Sequence, residues 1–462
     1  MYWSSMALLF AASAVHANPA PPPPDADVIS DQLTTAENIP ELMEAFEVTG
    51  LAVTAVSGDK VLLSAGFGMT ADEERYSVST PCGLYSATKV LASLTYANLS
   101  AAGRLNLNAP LADYIDDAPE TWRAIPFYRL LNHTSGIPMA VNKDAFGKLA
   151  ADPATRNDDI YRLVRDLPLD YQPGEYSRYR QSGYATAEMI LQDKLGSGFD
   201  ALVGEYITGP AGLSATLHPA VTSADEPAFL LSAGGFQTTA NDMSKLFLRI
   251  NDGTVIAPDA WKKLMLEDSY RFGDYSLGSV IENRNDVLTI GHSGGGARAN
   301  IRYAPDRKIG VMICTDDRDN NGLAIHLARM LVDEISSGDV PQLPLQVAMK
   351  GYKSMTGVEI IAAYRSAERS ADLYDLTSAE ALLNSIGYSL LAQKKGADAI
   401  AVLAFNAETF PDSPNAHDSL GEVLLANGKR DDALLSYRQV LKLDPGNNNA
   451  EKVIAQILAD SE

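Results

Sequence analysis

Cysteine is almost missing: in 462 residues only Cys82 and Cys314 carry thiols. That is too few for a Cys-rich zinc site or a disulfide-knotted miniprotein, and at most enough for one bridge. Two free or buried thiols are the expectation. Positive charge is also in short supply, with 37 Lys and Arg against 59 Asp and Glu and a net charge of -22. Such a field repels phosphate backbones and anionic lipid head groups, so nucleic acid is excluded as a natural partner. No segment has the length and apolarity of a membrane helix. What is present, 46% hydrophobic and 21% charged residues, is the profile of a globular protein with one large core and a smaller one.

The N-terminus reads as a targeting segment. Met6 to Val15 is a short apolar run, too short to span a bilayer, and Val15-His16-Ala17 supplies small residues where a signal peptidase cuts. Residues 1–17 are therefore expected to be a signal peptide, although no Lys or Arg precedes the run. The Pro-rich stretch Asn18 to Pro24 opens a linker over residues 18–35. The expectation is export, to a periplasm or outside the cell. No Cys follows the apolar run, so a lipoprotein anchor has no support.

Leu51 to Val56 and Val61 to Ala65 are β-rich runs around Ser57-Gly58-Asp59-Lys60, a hairpin signal. Ser86 to Ala102 reads as a helix stopped by Gly103. A long, Pro-punctuated region rich in helical patterns fills about Asn106 to Ile250. Strand patterns return at Tyr275 to Val280, Val287 to Ile290, Ala299 to Tyr303 and Ile309 to Thr315, before a helix over Leu323 to Ile335. Strands at both ends with a helical insertion between them predict a discontinuous α+β body over residues 36–338.

Pro341 and Pro344 mark a boundary, beyond which the chain reads as helix without strand patterns. Ile386-Gly387 returns as Leu420-Gly421, Asp398-Ala399 as Asp432-Ala433, and Pro411 as Pro445, each at the tetratricopeptide period of about 34 residues. A helical connector over 339–377 and an all-α pair of tetratricopeptide-like repeats over 378–462 are expected. In such repeats the Gly lets two helices approach, the Ala sits at their crossing and the Pro stops the second helix.

Three serines compete as nucleophile. Gly291-His292-Ser293-Gly294-Gly295 fits G-x-S-x-G, but that elbow needs a helix directly after the serine, and here a loop and a strand follow. Ser-x-x-Lys occurs at Ser57 to Lys60 and at Ser86 to Lys89, and three positions bring side chains onto one face only in a helix. Ser57 falls in a hairpin; Ser86 opens the long helix. There it meets unpaired backbone N–H groups and the positive end of the helix dipole, while a desolvated Lys89 one turn on can take its proton. The plainer role for Ser86 is a helix cap. His133, His218, His326 and His417 show no metal-ligand spacing, and no phosphate loop or dinucleotide fingerprint accompanies the strands, so neither metal nor nucleotide cofactor is indicated.

Tyr85-Ser86-Ala87-Thr88-Lys89, then Leu131 to Pro138 (LNHTSGIP), Pro173-Gly174 through Gly183-Tyr184, Gly234-Gly235 through Asp242-Met243, and Gly291 to Gly296 stand in one order. In that order the chain resembles the serine β-lactamase-related family of class C β-lactamases, D-alanyl-D-alanine carboxypeptidases and esterases, over about Ile39 to Ile335. The repeats resemble a tail attached to some members. The resemblance implies a β-lactamase/transpeptidase-like body, an antiparallel sheet flanked by helices plus a helical subdomain. It implies Tyr179 as the phenol shuttling a proton from Ser86 to the leaving group. The family's Tyr-x-Asn reads here Tyr179-Arg180-Gln181, so Gln181 replaces the amide that orients Lys89 and substrate, with one methylene more. Tyr96-Ala97-Asn98 matches literally, but Tyr96 lies about 15 Å along the helix from Ser86. His292-Ser293-Gly294 stands where many relatives have Lys-Thr-Gly, with the N–H groups of Ser86 and Gly295 as the implied oxyanion hole. His292, partly charged near neutral pH, would hold a substrate carboxylate less firmly than Lys, and Arg298 could restore that charge.

Together these features predict an exported serine hydrolase that forms an acyl-enzyme at Ser86 on an ester, D-amino-acid peptide or β-lactam-like carbonyl. The substrate is a small molecule or peptide, and no cofactor is needed. A rival reading is a catalytically silent binding module whose repeats hold a peptide or partner protein.

Overall fold

The structure, a computed structural model, describes residues 27–29, 33–139, 148–149, 151–219, 229–316 and 322–459. The expected signal peptide and most of the linker lie outside them. The strands in chain order are β1 (Val28–Ile29), β2 (Gly50–Ser57), β3 (Lys60–Gly68), β4 (Cys82–Gly83), β5 (Gln237–Thr238), β6 (Arg271–Phe272), β7 (Tyr275–Ser276), β8 (Ser279–Arg284), β9 (Val287–Gly294), β10 (Ala299–Ala304) and β11 (Ile309–Thr315). All but β4 and β5 form one nine-stranded antiparallel sheet, ordered β1-β3-β2-β11-β10-β9-β8-β7-β6. The N-terminal hairpin thus meets the C-terminal strands in mid-sheet, where β2 pairs with β11, and the helical insertion is looped out between them.

Both faces of this sheet are covered, which is why its central strands read as nearly continuous apolar runs. Successive side chains point to opposite faces. On β2, Ala52 and Val56 enter the larger core while Leu51, Val53 and Ala55 enter the second; on β11, Met312 and Cys314 face the first and Ile309, Val311 and Ile313 the second. The larger core holds the sheet against α2 (Thr88–Ala101), α3 (Gln181–Leu195) and α4 (Ala240–Asn251). The second packs the other face under α1 (Ile39–Ala45) and α5 (Leu323–Ser337).

Several local expectations are corrected. Cys82 and Cys314 are disulfide-bonded rather than free thiols, tying the segment just before Ser86 to β11. Two cysteines 232 residues apart carry no pairing signal in sequence; the fold brings them together because β11 runs through the middle of the sheet. The run Tyr275 to Val280 is not one strand, because Leu277 and Gly278 both take positive φ (37° and 93°) and turn β7 back onto β8. Beyond Gly338, Leu343–Pro344 (β12) pairs in parallel with Tyr374–Asp375 (β13), so that region is not purely helical.

The remainder is α6 (Gly357–Glu368) followed by α7 (Ala379–Ala392), α8 (Gly396–Thr409), α9 (Pro414–Ala426), α10 (Arg430–Leu443) and α11 (Asn448–Ala459), packed in sequence around two small cores. Gly387 and Gly421 occupy equivalent places. A Cβ would stand 2.4 Å from the Leu403 side chain at the first and 2.8 Å from the Tyr437 ring at the second, so neither tolerates a side chain unless the facing residue shifts. Leu343 and Val347, from the expected connector, are buried in the second core of the body, and Lys350 pairs with Glu41 and Glu44. Among the described residues no helix is long and apolar enough to cross a membrane.

Candidate active site

Ser86 does not open the α-helix itself. It sits in a 3-10 turn, Tyr85–Ala87, that leads into α2 at Thr88, and Tyr85 takes a positive φ of 47° to enter it. The turn is wedged between two segments. Gly294, at the end of β9, lies so close that a Cβ would stand 2.0 Å from Leu84 O and 3.0 Å from Ser86 N, so only glycine lets the strand end abut Ser86. On the other side Leu84 N–H donates to Phe236 O at 2.8 Å and Phe236 N–H to Thr88 Oγ1 at 3.2 Å.

Lys89 follows one helical turn later and is completely buried. Its ammonium donates to the Ala233 carbonyl and lies 4.9 Å from the ring centres of both Tyr179 and Tyr184. Burial lowers it from its ordinary value of 10.5 to about 7, partly countered by the charge of Glu188. A lysine in this state is about half neutral at physiological pH and can accept a proton.

Tyr179 reaches the same point from the helical insertion. Its side chain is partly exposed, yet burial is the main influence on the phenol and pushes it up to about 12, with Ser86 and Gln181 near enough to oppose that shift. Tyr179 is therefore neutral near pH 7 and able to donate a proton. Gln181 is the first residue of α3, and its buried amide oxygen has no hydrogen-bond partner among the described residues. Tyr96, the literal Tyr-x-Asn match, is core: it is fully buried beside Phe127 and Phe199.

The imidazoles are both neutral, for a shared reason. His292, on β9 opposite Ile301, is pushed by burial to about 3, and its Nδ1 donates to Ser293 O at 2.5 Å. The expectation of a partly charged His292 near neutral pH is thereby corrected. Burial, with the charge of Lys89 nearby, also drives His133 well below its ordinary value. Its Nδ1 accepts from Arg180 N–H at 3.2 Å, which leaves the proton on Nε2 to donate to the Tyr275 hydroxyl at 3.2 Å. Tyr275 neighbours Tyr184, whose hydroxyl donates to Leu131 O at 2.8 Å. The His133 ring lies tilted against Tyr179 with centres 4.3 Å apart and Tyr275 lies edge-on to it at 6.4 Å, so His133 and Tyr275 together form a wall beside the phenol.

Sequence reasoning placed Ser86, Lys89, Tyr179, Gln181, His292, Ser293, Gly294 and Gly295 in one site, and the structure brings them together. Gly295, at φ 59°, lies beneath the Tyr85 ring, and Arg298, at the end of the same turn, has its guanidinium 5.9 Å from that ring's centre and Nη1 3.4 Å from its hydroxyl. Arg298 thus stands on the rim. Ser57 is at the edge of the hairpin opposite Lys60, and Ser293 is on a strand, so neither rival serine has the nucleophile's surroundings. The sequence reading missed the Ala233 carbonyl, Tyr184, Tyr275 and the wall role of His133. In sequence His133 showed only the absence of metal-ligand spacing, and nothing in LNHTSG pointed to the ring it would pack against.

A doubly covered antiparallel sheet, with a helical insertion facing a Ser-x-x-Lys turn at the end of a strand, defines the β-lactamase and penicillin-binding class of fold. The Beta-lactamase family matches residues 35–333, well over half of the chain, and the chain belongs to that family. Protein flp of Staphylococcus aureus (strain MW2) is 23% identical over 175 residues, 37% of this chain and 34% of flp. A protein of Escherichia coli O157:H7 whose name proposes a D-alanyl-D-alanine carboxypeptidase is 26% identical over 163 residues, 33% of this chain and 37% of its own. The chain thus spans about a third of the length of the curated relatives it matches. Among solved structures, D-amino acid amidase from Ochrobactrum anthropi SV3 superposes with a TM-score of 0.54 at 16% identity, covering 65% of this chain and 99% of the amidase. The octameric penicillin-binding protein homologue from Pyrococcus abyssi gives 0.53 at 20%, covering 65% and 77%. At these identities the likeness to the two structures is one of fold.

Proposed function

We propose that this protein is an exported serine hydrolase working through an acyl-enzyme at Ser86. The observation that carries the reading is the buried amine of Lys89, brought to about 7 one helical turn from Ser86 and 4.9 Å from the ring centre of Tyr179. Ser86 Oγ attacks the substrate carbonyl while its proton passes to Lys89, directly or through the Tyr179 hydroxyl. The developing oxyanion meets the N–H groups of Ser86 and Gly295, each such donor contributing about 3 kcal/mol in the transition state. Tyr179 returns the proton to the departing alcohol or amine, leaving an ester on Ser86, and water releases the acyl group by the reverse relay.

The substrate carries an ester or a D-amino-acid amide or peptide bond rather than a β-lactam. His292 stands where a permanent cation meets a β-lactam carboxylate in many relatives, and a buried neutral imidazole supplies no such charge. A lost charge-assisted contact costs about 1.5 to 3 kcal/mol, one to two orders of magnitude in rate. The disulfide supports export, since such bonds persist in oxidising compartments. The helices from Ala379 to Leu443 read as two tetratricopeptide-like repeats, with a surface suited to a peptide or protein partner. The test compares turnover of a p-nitrophenyl ester, a D-alanyl-D-alanine peptide and a chromogenic cephalosporin by the wild type and by Ser86→Ala. Ester or D-peptide turnover that Ser86→Ala abolishes is expected; efficient cephalosporin turnover with negligible activity on the others would overturn the substrate assignment.

A further inference from the structure

Glu188 lies on a buried face of α3, among Tyr184, Ala185, Ala187, Ile190 and Leu191, and is only 2% exposed. A carboxylate there is strongly unfavourable unless hydrogen bonds hold it. One oxygen accepts from the Ser232 N–H at 2.6 Å and from the Ser232 hydroxyl; the other accepts from the Leu231 N–H at 3.1 Å and Asn157 Nδ2 at 2.9 Å. Asn157 in turn accepts the Leu230 N–H on its Oδ1 at 2.9 Å, at the residue whose positive φ of 54° starts the turn. Glu188 and Asn157 therefore grip three consecutive amides of the segment entering the Leu231–Gly234 helical turn.

That turn delivers the Ala233 carbonyl to Lys89. It also continues into the bed of the nucleophile, since a Cβ on Gly234 would stand 3.4 Å from Tyr85 C and 3.7 Å from Ser86 N. None of the proton transfers of the acyl-transfer reading uses Glu188. We propose that Glu188 is a positioning residue for Lys89: by clamping the Leu231–Gly234 turn it fixes the carbonyl that receives the lysine amine and sets a negative charge behind it.

The inference rests on the reading in which Ser86 and Lys89 carry out acyl transfer. The titratable groups around Lys89 are Tyr179 and Tyr184 with raised phenols, His133 and His292 with lowered imidazoles, and Glu188. Around Glu188 stand Tyr96, Ser232 and Asn157, and the cavity it borders also carries the exposed or half-exposed charges of Arg156, Asp158, Asp159, Arg162, Asp193 and Asp200, which the Glu188→Gln substitution leaves in place. The two phenols and two imidazoles are neutral near pH 7, so the carboxylate is the anion of the set around Lys89. Four donors on its two oxygens leave only the Ser232 hydroxyl able to turn and accept a proton, which suits the ionised form although burial raises the carboxyl above its ordinary value. An anion favours the ammonium, so removing it lets Lys89 lose its proton at lower pH.

The experiment follows the rate at which a fluorophosphonate labels Ser86 in the full chain as a function of pH, for the wild type, Glu188→Gln and Glu188→Asp. Glu188→Gln is expected to label about 10²-fold more slowly at the optimum, the scale of a 1 Å misplacement, with the acid limb moved to lower pH. Glu188→Asp keeps the charge but withdraws it by a methylene, so it should label slowly with the limb where the wild type has it. A purely structural carboxylate would leave the limb of Glu188→Gln unmoved, and that result overturns the proposal. Should Glu188→Gln not fold, Glu188→Asp decides: slow labelling at an unchanged melting temperature supports positioning, and wild-type labelling overturns it. A wild type that takes no label at Ser86 overturns the acyl-transfer reading instead, and the inference with it.

Discussion

Replacing Lys89 by Met should abolish turnover and yet make the protein more stable. Burial takes the amine from 10.5 to about 7, and a difference of that size corresponds to about 5 kcal/mol of folding free energy. The unfolded chain binds the proton more tightly, so this destabilisation is present in full below pH 7, shrinks as pH rises, and is gone above 10.5. Met fills nearly the same volume without a charge, but it leaves the Ala233 carbonyl without its donor, a loss of about 1 to 3 kcal/mol. The net expectation is a gain of about 2 to 4 kcal/mol below pH 7 that diminishes through the alkaline range. Urea unfolding of both proteins at several pH values measures it. A variant less stable than the wild type in mild acid, or a gain that does not fall with rising pH, would refute the claim that Lys89 is held in a depressed state by its burial.

Two further outcomes follow from the architecture. Cys82→Ser with Cys314→Ser should lower stability by about 2 to 5 kcal/mol in denaturant; an unchanged unfolding midpoint for the double variant would contradict the disulfide. Because Leu343 and Val347 are part of the body's second core, a chain ending at Lys350 should keep Ser86 reactivity, whereas one ending at Gly338 should lose several kcal/mol, at about 1.5 to 3 for each fully buried apolar side chain. Equal thermal stability of the two truncated chains would show that those side chains contribute nothing to the body.

The body was legible where one local rule decided the matter. The strands of the central sheet followed from apolar runs with β-branched residues, and their discontinuity in sequence followed from the helical stretch between them. Ser86 was chosen over Ser57 and Ser293 because only its surroundings predicted a helix, and the structure differs there by one short 3-10 turn. Tyr179 became legible only through the order of motifs, since a tyrosine in a polar loop has no local signature. The features that stayed hidden depend on contacts between distant segments. Cys82 and Cys314 are joined by sheet topology, His292 is neutral because neighbours from other elements bury it, and Glu188 in mid-helix reads from sequence as one more solvated acid. Its partners, Ser232 and Asn157, lie 44 and 31 positions away.

The measurement that bears most directly on the central claim is the position of the covalent adduct. The protein is mixed with a slowly deacylating p-nitrophenyl ester, quenched in acid and digested, and the acylated peptide is located by mass. The account predicts an acyl group on Ser86, formed in step with a burst of p-nitrophenol and absent from both Ser86→Ala and Lys89→Met. An adduct on Ser293 or Ser57, or steady turnover that survives in Ser86→Ala, would contradict it.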